Sequence, residues 1–365
     1  MIDRLRILYV DTEPVWRGGQ EQLLSLVLGM RDQGHHVAVA APRSTPLAAR
    51  ILEKGIRFHP FRQRAELSPL AFARMYKILR KDRFSIVHFN TQRPLIAGAL
   101  ASRIAGSPIT VCSRRVNFPL PTRLSALKFN LLIDSVVTVS SSIKRTLARG
   151  RVNSDIVRVI HEGVDFQDLD RLQAPQLSLP DDKRIIGTVA HLSPEKDHLT
   201  LIKAFQTVKK NLQDALLVIV GDGELRSSLE QLVSDLGLKD SVCFTGFRSD
   251  AGAIMRHFDL FCLPSLSEGL SAAIMEAMAN HLPVVTTRVG GNPELVIEGE
   301  TGLLVEPGKP AFLADALEKL LRSPDLISKM GNAGRQRIER HFTLAARLAG
   351  FEKLYLELLA QRKFG

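Results

Sequence analysis

Short apolar runs alternate with longer segments whose leucines return every three or four positions. RILYV (6–10), HVAVA (36–40), IRFHP (56–60), SIVHF (85–89), ITVCS (109–113) and SVVTVS (135–140) are rich in β-branched residues and predict strands. Between the first two runs, the leucines of GQEQLLSLVLGMRDQG fall on one helical face. The alternation then starts again, with RIIGTVA (184–190), LLVIVG (216–221), VCFTG (242–246), DLFCLP (259–264) and PVVTT (283–287). Strands that are apolar along most of their length are buried on both faces, so each series predicts a parallel sheet covered by helices. The last segment, LAARLAGFEKLYLELLAQRKF, is a long helical pattern.

The two series are separated by QAPQLSLPDD (173–182), which is polar, holds two prolines and has no period. It is expected to link a first α/β unit, 1–172, to a second, 183–344. A chain of 365 residues is long for one such core and comfortable for two. The expected architecture is two doubly wound domains facing a central cleft, with ligands at the carboxyl ends of the strands. No internal repeat stands out. No window approaches eighteen uninterrupted apolar residues. MIDRLRILYVDTEP, whose apolar run is bounded by Asp3 and Asp11, reads as a first buried strand and not as a leader.

Composition changes the picture in one respect. Residues 1–170 hold 26 Lys and Arg against 14 Asp and Glu, whereas 171–365 are almost balanced at 23 against 24. A positive first half calls for an anionic partner. Nucleic acid is not expected, because none of its familiar binding motifs is present. The three cysteines (Cys112, Cys243 and Cys262) lie in or beside apolar runs and read as buried thiols of a reducing cytoplasm. No His, Cys and Asp set has metal-ligand spacing, and no acyl-transfer nucleophile motif occurs.

The segment SLSEGLSAAIMEAMANHLPVVTT (265–287) carries the strongest chemical signal. Glu268 falls in a strand-to-helix turn beside Gly269, and Glu276 lies two turns into the helix that follows. Such a turn presents free backbone N–H groups at the positive end of a helix dipole and attracts anions. A carboxylate there would repel phosphate, so Glu268 suits sugar hydroxyls and Glu276 suits a hydroxyl pair such as a ribose.

This segment resembles the E-x7-E motif of retaining glycosyltransferase family 4, the group 1 glycosyl transferases of GT-B fold. The resemblance extends through GTVAHLSPEKDHLTLIKAF (187–205), VIVGDGELRSSLEQLVSDLGLKDSVCFTGF (218–247) and VGGNPELVIEGETGLLVEPGKP (289–310). It implies that Glu268 holds donor-sugar hydroxyls and that Gly269, Leu270 and Ser271 offer N–H groups to a diphosphate. Glu276 would accept from a ribose, and Lys196 would neutralise the leaving diphosphate. His191 would belong to the phosphate loop, and Gly246, Phe247 and Arg248 would border the nucleobase. Gly18 and Gly19, which lack dinucleotide-fold spacing, would approach the donor from the first domain. The first domain is expected to be completed by the closing helix, 345–365. His88, Asn90, Arg114 and Asn117 are candidates for the acceptor side.

The chain departs from the family at three points. His191 stands where relatives usually carry Arg, and imidazole is fully cationic only below about pH 6.5. Lys196-Asp197 replaces Lys-Gly, with Asp197 expected to cap the helix from His198. VCSRRVNFP, with Arg114 and Arg115, replaces a stretch in which many relatives have His. His161 and Glu162 fall in the family's stretch leading to the hinge. His35 and His36, at the start of the second strand, read as surface residues.

The resemblance implies a retaining, metal-independent transferase without a cofactor. It would use a UDP-, GDP- or ADP-linked sugar and act in the cytoplasm at the inner face of the cytoplasmic membrane. The cationic and apolar residues interleaved in RMYKILRKDR (74–83) and SRRVNFPLPTRLSALKFNLLI (113–133) suit peripheral contact with an anionic membrane. They also suit an anionic or lipid-linked glycan acceptor, such as lipopolysaccharide. The competing readings are a GT-B nucleotide-sugar epimerase and a non-catalytic nucleotide-sugar-binding protein.

Overall fold

The computed structural model describes residues 4–364 apart from 64, 107, 123–124, 172–174, 176–178 and 181. The first sheet consists of β1 (Arg6–Val10), β2 (His36–Ala41), β3 (Arg57–Pro60), β4 (Ile86–Phe89), β5 (Ile109–Arg114), β6 (Ser135–Thr138) and β7 (Val157–Val159). All its pairs are parallel, in the order β3-β2-β1-β4-β5-β6-β7. The second sheet consists of β8 (Arg184–Val189), β9 (Ala215–Val220), β10 (Val242–Gly246), β11 (Leu260–Leu263), β12 (Val284–Thr287) and β13 (Gly302–Val305). Its order is β10-β9-β8-β11-β12-β13, again parallel. Both sheets are therefore doubly wound, as the continuous apolar strands predict. The strand order reverses between β1 and β4 in one and between β8 and β11 in the other.

Local chemistry fixes the helix starts. Thr45 and Ser68 cap their helices through Ala48 N and Ala71 N, each followed by a proline at the first helical position. Asp197 takes a left-handed conformation (φ 51°) and accepts from Thr200 N at 3.2 Å, capping helix His198–Asn211. Helix Leu95–Ile104 approaches its sheet closely through Gly98, where a Cβ would fall 2.4 Å from the Phe89 ring.

The compact units divide at Glu162 and Gly163, not in the expected linker, most of which lies outside the described residues. Helix Phe166–Arg171 belongs to the second unit: Arg335 pairs with Asp170 and covers the Phe166 ring, and Arg256 donates to Leu169 O. The segment from Leu344 belongs to the first unit. There Leu348, Phe351, Leu354 and Tyr355 enter the core formed by Ile7, Tyr9, Leu26 and Met30. The second core gathers the β8, β9 and β11 side chains with Phe205, Leu229 and Leu317.

Candidate active site

In each doubly wound sheet the loops at the reversal of strand order part to either side, leaving a crevice at the carboxyl edge. In the second unit these loops follow β8 and β11. The β8 loop ends in a short 3-10 turn, Pro194–Lys196, and Glu195 O accepts from Leu266 N at 2.8 Å, tying the two loops together. Lys196 Nζ donates to Glu268 Oε1 at 2.6 Å, and the Ser265 hydroxyl donates to the same oxygen at 2.8 Å. The Glu268 side chain is 7% exposed, so this carboxylate is held in one orientation. Gly290 supports it from the next loop. At φ +55° its α-carbon passes so near Glu268 that a Cβ would lie 1.7 Å from the Glu268 carbonyl oxygen.

Gly269 and Leu270 complete the turn, and Ser271 caps helix Ala272–Ala279, accepting from Ile274 N at 3.4 Å. Glu276 is half-buried two turns from Glu268, and its carbonyl accepts both N–H groups of Asn280 at 3.0 Å. At the end of β10, Gly246 (φ +74°) accepts from Gly221 N at 2.9 Å; Phe247 is 69% exposed, and Arg248 forms a two-point pair with Asp250. His191 Nε2 lies 3.2 Å from Glu224 Oε2, both well exposed. His198 is fully buried, and neither ring nitrogen has a hydrogen-bond partner among the described residues. Burial, then the charges of Lys196 and His191, lower its pKa to about 4.

In the first unit the reversal brings Asp11, after β1, to Asn90, after β4. Asn90 Nδ2 and Gln20 Nε2 both donate to Asp11 Oδ2, at 2.5 and 3.2 Å. Arg115 joins them, donating to Asn90 Oδ1 at 2.5 Å and to Glu162 Oε1 at 2.6 Å. Glu162 also meets Arg347 Nε at 2.9 Å. Burial alone would raise the Glu162 pKa, but Arg347 and Arg115 outweigh it and the net shift is downward. Gly18 and Gly19 begin helix Gly18–Asp32, which has no side-chain cap, and a Cβ on Gly19 would contact Arg115.

His88 is not at this edge. It is 1% exposed and packs against Tyr9 and Phe351, with its ring nitrogens 2.6 Å from the Tyr355 hydroxyl and 2.7 Å from that of Ser113. Burial holds its pKa well below the usual value. It is a core histidine satisfied by the closing helix. His35 is also buried, accepting from Leu5 N and facing Glu352. Asn117 bonds to Ser142 and Thr146 and fastens its loop to helix Ser141–Arg149. Sequence reasoning missed Asp11, Ser265 and Gly290, which become visible only once strand order is known. Among the described residues no three His, Cys, Asp or Glu side chains converge as a metal-binding set.

Comparison with known proteins places both units. The family model described as Glycosyl transferases group 1 matches residues 170–337, and that described as Glycosyltransferase Family 4 matches residues 16–168. The chain is 30% identical to the putative glycosyltransferase EpsF of Bacillus subtilis, over 77% of this chain and 78% of that one. It is 29% identical to the GDP-mannose-dependent alpha-(1-6)-phosphatidylinositol monomannoside mannosyltransferase of Mycobacterium tuberculosis, covering 95% of this chain and 97% of that one. Among solved structures, Anabaena HepE in complex with UDP superposes with a TM-score of 0.85 at 21% identity, covering 97% of this chain and 100% of that one.

Proposed function

Because this chain belongs to the group 1, family 4 glycosyltransferases of GT-B fold, we propose that it moves a sugar, with retention, from a nucleotide-diphospho-sugar to a lipid-linked or cell-envelope glycan. The observation that carries the reading is the buried Glu268 carboxylate fixed by Lys196 and Ser265 at the reversal of the second sheet. Glu268 accepts from donor-sugar hydroxyls. Lys196, with N–H bonds left beyond the one given to Glu268, neutralises the diphosphate as the glycosidic bond breaks. The turn at 269–271 adds backbone N–H groups to the same charge, and Glu276 receives the ribose. The acceptor hydroxyl attacks the face from which the phosphate departs. Its proton passes to the departing phosphate oxygen, so catalysis is mainly stabilisation of a leaving dianion.

The acceptor reading draws on the Mycobacterium relative, whose name specifies a phosphatidylinositol mannoside. It draws also on one face of the first unit. Helix Leu95–Ile104 packs against helices Pro69–Asp82 and Ser125–Leu132. Leu67, Leu70, Leu100, Ile104, Leu127 and Leu131 on or beside these helices are exposed, interspersed with exposed Arg74, Lys77, Arg80, Lys81 and Arg103. Such a surface suits the headgroup region of an anionic membrane. Among the described residues no helix is long and apolar enough to cross one. We read the site of action as the inner face of the cytoplasmic membrane.

The test is incubation with radiolabelled UDP-, GDP- and ADP-sugars, with and without lipid extract from envelopes. Label entering extractable glycolipid only when extract is present supports transfer. Conversion to an epimer without acceptor, or binding without conversion, overturns it.

A further inference from the structure

Arg114 ends β5 at the carboxyl edge of the first sheet, in register with Thr138 of β6. It is 4% exposed. One guanidinium nitrogen donates to the carbonyl of Phe118, and the buried Nε has no hydrogen-bond partner among the described residues. Nor does Arg114 form an ion pair among those residues. The titratable neighbour acting on it is the Cys112 thiol, which burial keeps protonated by raising its pKa to about 12. The neighbouring cations are placed differently, since Arg115 and Arg347 share Glu162. A guanidinium withdrawn from water without a counter-charge is unfavourable, and proteins ordinarily pair it.

Among the described residues the surroundings add positive character. Helix Ser141–Arg149 starts just beyond β6, capped by Ser140, with no acidic residue in its first turn. Its amino end therefore presents partial positive charge beside the strand end that holds Arg114. The loop after Arg114 is pinned to that helix by Asn117 and shows Val116 and Phe118 to solvent.

We propose that Arg114 binds an oxyanion, a phosphate or carboxylate group carried by the acceptor. The word acceptor rests on the transferase reading; the unpaired charge does not. Guanidinium suits this group because its N–H bonds match the spacing of oxyanion oxygens. Substitution of Arg114 should therefore select against charged acceptors while leaving donor binding in the second unit unchanged.

The test follows the Arg114 Nε–Hε resonance in the full chain, assigned through its own backbone amide and kept saturated with UDP so that the diphosphate site is filled. One arm adds inorganic phosphate, and a second adds phosphatidylcholine bicelles doped with phosphatidate. A saturable shift that chloride at equal ionic strength does not reproduce is expected. Response at lower concentration to phosphatidate identifies a lipid-borne anion, and response to phosphate alone identifies a soluble one. In Arg114→Gln the phosphate dissociation constant should rise about tenfold or more, the scale of losing a charge-assisted hydrogen bond. If that variant does not fold, the wild-type spectra still decide. No shift in either arm, or an equal shift with chloride, overturns the proposal. UDP binding in the same sample reports on the donor site separately, so failure of the transferase reading is distinguishable.

Discussion

The ammonium of Lys196 lies 2.6 Å from the Glu268 carboxylate, although 72 residues separate them in sequence. The sheet order brings them together, because β8 and β11 are neighbours at its reversal. In the function proposed above, this pair orients the hydroxyl acceptor and the phosphate partner relative to each other.

Glu268→Ala and Lys196→Ala should each lower transfer by roughly 100-fold or more, the scale of removing one transition-state charge partner. Both residues lie on loop edges, so circular dichroism and thermal midpoints should stay near those of the parent. Near-parental turnover in either folded variant would remove these residues from the site.

Gly290→Ala tests the support beneath Glu268. The new methyl would meet the Glu268 carbonyl oxygen at 1.7 Å in a left-handed backbone conformation, so the loop carrying Glu268 has to move. A misplacement of about 1 Å near reacting atoms can cost roughly 100-fold in rate. The expected signature is a large loss of kcat with the second unit still folded; parental kcat would mean that the loop absorbs the change freely.

His198 predicts an acid-sensitive second unit. Its pKa is about 4 in the folded chain and 6.5 ordinarily, so between those values the unfolded chain binds the extra proton. Stability is therefore complete above pH 6.5 and falls as the pH drops toward 4. Over that window the loss is about 3 kcal/mol, taking 1.36 kcal/mol per pKa unit. Urea melts should show this limb, and it should flatten in His198→Gln. An unchanged limb in the variant would assign the titration elsewhere.

Membrane contact should depend on charge. Vesicles with anionic lipid should sediment the protein at low salt and release it as salt rises to about 0.5 M, with each exposed cation contributing on the order of 1 kcal/mol. Reversing Arg80 and Lys81 should weaken sedimentation without altering donor binding. Lys128 is a poorer choice, since it is paired with Glu66 at 2.8 Å, and Arg123 lies outside the described residues. Indifference to anionic vesicles would leave a soluble anionic acceptor to explain the positive first half.

Periodicity was sufficient for most strands because each is apolar along its length, and the turn carrying Glu268 is local in sequence. Strand β7 escaped notice, since Val157, Arg158 and Val159 form too short a run to stand out. The compact units divide ahead of the polar linker because the contacts that draw helix Phe166–Arg171 into the second unit come from Arg256 and Arg335, far along the chain. His88 reads from the sequence as an acceptor-side candidate because the partner that satisfies it in the core, Tyr355, lies 267 residues away. The Asp11–Asn90 contact likewise spans 79 residues and follows from strand order alone.

The returning helix Leu344–Phe364 sets a timetable for synthesis. Leu348, Phe351, Leu354 and Tyr355 fill the first core, yet they leave the ribosome after the whole second unit. The first unit to be made is therefore the second to be finished. Until those residues arrive, the apolar side chains of Ile7, Tyr9 and Leu26 are incompletely covered and open to chaperone capture. A nascent chain stalled before Leu344 should carry a protease-resistant second unit and a first unit that is still cleavable.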